Sequence, residues 1–76
     1  ALQGADVENR KARINGKVAS AVWLNLAEGF IWMNEFDKAT NALNKVNMIG
    51  EKRYVRVVGS YQTLLNDQKA RFEAKN

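Results

Sequence analysis

The chain has 76 residues, with 12 basic and 8 acidic side chains, a net charge of +4, 46% hydrophobic residues, and no Cys, His or Pro. Such a length supports one small domain, burying roughly 60–65% of its unfolded surface. Lacking Cys and His, it has no disulfide, no thiolate metal site and neither the commonest general base nor the commonest metal ligand. Ample apolar content without Pro suits an all-helical globular domain.

The charge is unevenly placed: residues 1–20 carry +2, residues 21–50 carry −1 and residues 51–76 carry +3. Basic ends leave an anionic partner open, although a charge of this size also serves simply to keep a small domain soluble. The chain starts at Ala1 without a basic-then-apolar leader, which reads as a processed form or a piece of a longer chain. Its longest low-charge run, Val18 to Met33, is interrupted by Asn25 and Glu28. That is short of the ~20 apolar residues of a membrane span, so a soluble chain with no transmembrane segment is expected, its compartment unassigned.

In chain order, Ala1 to Gly4 show no pattern and are expected to fray, with Asp6 as a helix N-cap. An apolar stripe follows: Val7, Ile14, Val18, Val22, Leu26, Phe30 and Met33. Its steps of three, four or seven are helical. Asn15-Gly16 is a turn signal within it, so the residues fit one helix from about Asp6 to Met33 or two that meet near Gly16. The stripe keeps phase across Gly16, which favours one. Asn34 is expected to stop this helix and cap the next by accepting from the amide of Asp37.

The second helix carries Phe36, Ala39, Leu43 and Val46 on one face and runs to about Asn47, with Gly50 turning the chain in a left-handed conformation. From Glu51 to about Glu73, the residues Tyr54, Val57, Val58, Tyr61, Leu64, Leu65, Gln68 and Phe72 keep the helical period for five turns. The β-branched start, Tyr54 to Val58, competes as a short strand. A single strand has nothing to pair with, and a long third helix is expected. Residues 1–76 therefore read as one all-α domain: an antiparallel helical hairpin plus a long third helix.

The central spacing, Trp23, Leu26-Ala27, Phe30, Phe36, Ala39, Leu43 and Val46, resembles one tetratricopeptide repeat, a helix–turn–helix unit of about 34 residues. Ala27 stands where the repeat favours Gly, Leu43 for an aromatic, Val46 for Ala, and Glu51 where it tends to have Pro. The match covers one repeat, with flanking helices of a different pattern. The resemblance implies a TPR-like interaction or structural module whose first helix lines a groove for a peptide, a partner protein or a neighbouring domain. Carried onto this chain, the groove positions are Leu24, Glu28, Ile31 and Trp32. Leu24 and Glu28 stand where some family members use a cation or amide to clamp a terminal carboxylate, so that ligand is not expected here.

The first helix is apolar on nearly every side, and such a helix needs two partner surfaces. The third helix supplies one. A bound peptide, another domain or a second copy in a homodimer supplies the other. On the residues alone, Leu24, Ile31 and Trp32 are either core beneath the third helix or a patch for a partner. No enzyme is expected: Glu35 and Asp37 sit where acids complement a helix dipole, Glu28 lacks a partner for acid–base work, and no phosphate loop, nucleophile motif or metal spacing occurs. No cofactor is expected. The alternatives are a structural helical cap that self-associates, or a basic helical nucleic-acid binder, with Lys52, Arg53 and Arg56 around Tyr54 as anion contacts, and Arg10, Lys11, Arg13 and Lys17 as a second cluster.

Overall fold

The computed structural model describes the chain from Leu2 to Lys75, and its side chains from Ile14 to Lys75. Three helices account for it: α1 Leu2–Trp32, α2 Phe36–Ile49 and α3 Lys52–Lys75. The first is a single helix through Gly16, as its unbroken phase suggests. It starts at Leu2 rather than at Asp6, which therefore lies inside the helix and is not its cap. The Tyr54–Val58 segment is helical: at the head of α3, with no strand among the described residues to pair with, its β-branched residues follow the period of the helix behind them.

Backbone geometry sets both turns. Asn34 takes a left-handed conformation at φ 62°. The Glu35 amide donates to the Phe30 carbonyl at 2.8 Å and the Asn34 amide to that of Ile31 at 3.1 Å. This pair of bonds is a complete Schellman closure, built on Asn because Asn tolerates the left-handed region better than other side chains. The expected capping of α2 by Asn34 does not occur. Glu35 is the N-cap, without a side-chain bond of its own, and its carbonyl accepts from Ala39 at 3.0 Å. Asn34 is turned away by its own φ, and its Oδ1 accepts instead from Gln68 Nε2 on α3 at 3.3 Å. At the other turn Gly50 is left-handed at φ 75°, as its position predicts, and donates to the Val46 carbonyl at 3.1 Å.

A Cβ placed on Gly16 would lie 3.5 Å from Ile49 and 3.7 Å from Glu51, so the α2–α3 turn comes back beside Gly16. Near the other end, Phe72 meets Phe36 edge-on at 5.7 Å. The helices therefore run up, down and up. The Cα trace extends 61 Å along its longest axis, more than the ~46 Å of α1 alone, so α1 and α3 are staggered.

The core joins Leu24, Ala27 and Ile31 of α1, Ala39, Ala42, Leu43 and Val46 of α2, and Val58 and Leu65 of α3. Trp23, Phe30, Phe36, Tyr54, Tyr61 and Leu64 are half-buried around it. Most of the expected faces of α2 and α3 are thus inward, although Val57 is exposed. The expected α1 face is not. Leu26 and Met33, read as packing on α2, are exposed, and the buried arc is Ser20, Leu24, Ala27 and Ile31. The reason lies in the steps. Intervals of four, three and four return to one side of a helix, whereas the repeated fours from Ile14 to Phe30 drift by 40° each and wind about 160° around it.

Two glycines with opposite roles give the first prediction. Gly16→Ala fills open space at ordinary contact distance and removes a mid-helix glycine, so it should raise stability by about 1 kcal/mol, a rise in Tm of about 4–8 °C. Gly50→Ala should lower stability by about 1 kcal/mol, because an L side chain strains the left-handed turn. A second concerns Ser20, which is fully buried with no hydrogen-bond partner for its hydroxyl. Ser20→Ala removes an unsatisfied group and improves helix propensity, so denaturant unfolding should show a gain of about 1 kcal/mol.

Candidate functional site

The buried arc of α1 leaves its opposite side without an intramolecular neighbour. That side presents Ile14, Val18, Val22, Leu26, Trp32 and Met33, with exposures from 41% at Leu26 to 62% at Met33. At 1.5 Å per residue, Ile14 to Met33 spans about 28 Å. Across those twenty residues α1 carries two charged side chains, Lys17 and Glu28. They are eleven residues apart, close to three full turns, so they share one edge of the face and leave its middle free of charge. Asn15 and Asn25 are the polar residues within it. Soluble monomers seldom expose a contiguous apolar patch of this length.

The four expected groove positions divide. Leu24 is 6% exposed and Ile31 fully buried, both in the cluster that holds Val58 and Leu65. They are core, and neither lines an open groove. Two helices pack on α1 at once, and the arc between them is centred on these residues. Glu28 and Trp32 are exposed, Glu28 on the edge of the outward face and Trp32 on the face itself. Sequence reasoning read Ile14, Val18, Val22 and Leu26 as one apolar stripe without naming them as a partner surface. The signal that separates them is the run of four-residue steps.

Lys52, Arg53 and Arg56 are all exposed on the first turns of α3. Lys52 and Arg56 border a cleft of 390 Å³ with Asn47, Gly50 and Val55, and Arg53 is not among its walls. The upstream basic residues Arg10, Lys11 and Arg13 lie outside the described side chains. A second cleft, of 670 Å³, lies at the far end between the α1–α2 turn and α3, where Asn34, Gln68, Arg71 and Phe72 line it. Near this end Lys38 Nζ sits 5.9 Å from the centre of the Phe30 ring, a cation–π contact that covers one half-buried aromatic. Among the described residues, no three His, Cys, Asp or Glu side chains are grouped to hold a metal, and no helix is long and apolar enough to cross a membrane.

The two faces of α1 should respond differently to substitution. Val18→Asp and Val22→Asp should each change the unfolding free energy of the single chain, measured at concentrations too low for copies to associate, by less than about 0.5 kcal/mol, the range of surface sites. Ile31→Ala should cost about 2–5 kcal/mol through loss of buried area and the cavity left behind. Urea titrations followed by circular dichroism measure all three. A loss above 1 kcal/mol at Val22 would show that the outward face is packed within the chain.

Compared with family models, curated proteins and solved structures, the chain matches none.

Proposed function

We propose that the chain is a protein-interaction module that binds a partner helix along the outward face of α1. The observation carrying this reading is the charge-free apolar strip from Ile14 to Met33, held open by a three-helix core that does not use it. A strip about 28 Å long and one helix wide matches the apolar face of an amphipathic helix, which inserts side chains at intervals of three and four. Trp32 and Met33 at one end supply a large aromatic and an adaptable side chain, the types that anchor interfaces.

The chain exposes 5804 Å², against roughly 4,700 Å² for a compact monomer of its 8.6 kDa mass. Part of that excess comes with the elongated shape, 61 Å along its longest axis, and a fourth helix on α1 would cover the share that the outward face adds. The likeness of Trp23 to Val46 to a tetratricopeptide repeat fits the same proposal, since members of that family also bind through the first helix of the repeat. In this chain the binding residues are those of the outward face, with Trp32 and Glu28 retained from the family-derived set.

A display selection of random amphipathic helical peptides against sparsely immobilised chain tests the proposal. Selected peptides should bind the unmodified chain and Asn44→Asp alike, and lose tenfold or more on Val22→Asp. Peptides indifferent to Val22→Asp, or no binders at all, would overturn it.

A further inference from the structure

We infer that the helix seated on the outward face of α1 is α1 of a second copy, running antiparallel across a two-fold axis near Val22. This rests on the interaction face proposed above and names its occupant. The identity follows from the edge charges. Lys17 has no acid, and Glu28 no base, three or four residues away on its own helix. Both are exposed.

In an antiparallel pair related by a two-fold axis, the same edge of each helix meets on the same side. Lys17 of one copy then faces Glu28 of the other, twice, when the axis passes midway between positions 22 and 23. The apolar ladder is compatible with almost the same centre. Val18, Val22 and Leu26 are evenly spaced, so Val22 opposes its own counterpart and Val18 opposes Leu26 when the axis passes at 22. The two centres differ by half a residue, under 1 Å along the helix. An unrelated partner would have no reason to make charge pattern and apolar pattern share a centre.

Area and composition agree with this occupant. The six exposed apolar side chains offer on the order of 600 Å² per copy, so a pair that covered them fully would bury about 1,200 Å², the lower end of the range for specific interfaces. A chain of net charge +4 repels its copies elsewhere, yet across this face no charge has to be desolvated. Ile14 reaches Trp32 at each end of the pair. Gly29, which faces Asn15 of the second copy in this register, has nothing within 4 Å of where a Cβ would stand, so no contact among the described residues explains a glycine there. A close approach by the second helix does.

The test is the molar mass of the full chain by sedimentation equilibrium over a micromolar concentration range. A dimer is expected, with Val22→Asp monomeric at the same concentrations. Lys17→Glu and Glu28→Lys should each weaken dimerisation roughly tenfold, since each turns two attractive edge pairs into repulsive ones. An equimolar mixture of those two variants should regain the affinity of the unmodified chain, because every edge pair between them is again opposite in sign. The double variant Lys17→Glu/Glu28→Lys should do the same alone, and circular dichroism of each confirms the fold. A monomer throughout, or single variants that dimerise as the unmodified chain does, overturns the second copy. Helical peptides that still bind through Val22 would then leave the interaction face standing, and loss of those as well would remove both.

Discussion

The fold depends on how closely α1 and α2 can approach. Ser20 and Ala27 on one helix and Ala39 and Ala42 on the other are all buried, and they bring the two backbones together. Ile31, Leu43 and Val46 then fill the remaining space with almost no exposed surface. Small side chains at a crossing let the larger ones beside it interdigitate, and protein interiors are dense enough that even a methylene in the wrong place is felt. The unpaired Ser20 hydroxyl is the local cost of this approach: a residue of that size fits, and no acceptor is in reach.

The third helix is fitted to the hairpin by a narrow seam. Tyr54, Val58, Tyr61, Leu65, Gln68 and Phe72 recur at steps of four, three, four, three and four, which keeps them on one side over nearly the whole of α3. Val58 and Leu65 fill the middle, while Gln68 and Phe72 tie the far end to Asn34 and Phe36. Two short turns, one closed by left-handed Asn34 and the other by left-handed Gly50, leave α3 little choice but to run parallel to α1. The core is small, and it is satisfied with one arc of α1.

That leaves the outward apolar surface as a remainder. A helix apolar around most of its circumference has more apolar surface than two neighbours can cover, and what they leave is contiguous, long and free of charge. Evolution could remove it with a few lysines on the outward side. Instead, the two charges between Ile14 and Met33 stand on one edge, where they frame the strip without interrupting it. The basic residues opening α3 have no such setting. All three are exposed at the positive end of a helix dipole, where a cation gains nothing from the backbone, and Lys52 and Arg56 border a cleft that Arg53 does not line.

The sequence by itself determined the three helices, the continuity of α1 through Gly16, the inward face of α2 from Ala39 to Val46 and the left-handed turn at Gly50. Each follows from local rules: helical period, turn chemistry, and the rarity of positive φ outside glycine. The alternating steps of Ser20, Leu24, Ala27 and Ile31 were legible as well, but they competed with a longer apolar stripe on the same helix. Only the tertiary structure decided between them, because burial depends on where α2 and α3 lie together and no pattern within α1 encodes that. The same holds for Asn34, whose side chain was free to cap α2 until its backbone turned it towards Gln68. Leu24 and Ile31, which fitted groove or core, are core, and Val18 and Val22 of the apolar stripe are surface, for one reason: a helix apolar on nearly every side leaves the choice of its inner face to its neighbours.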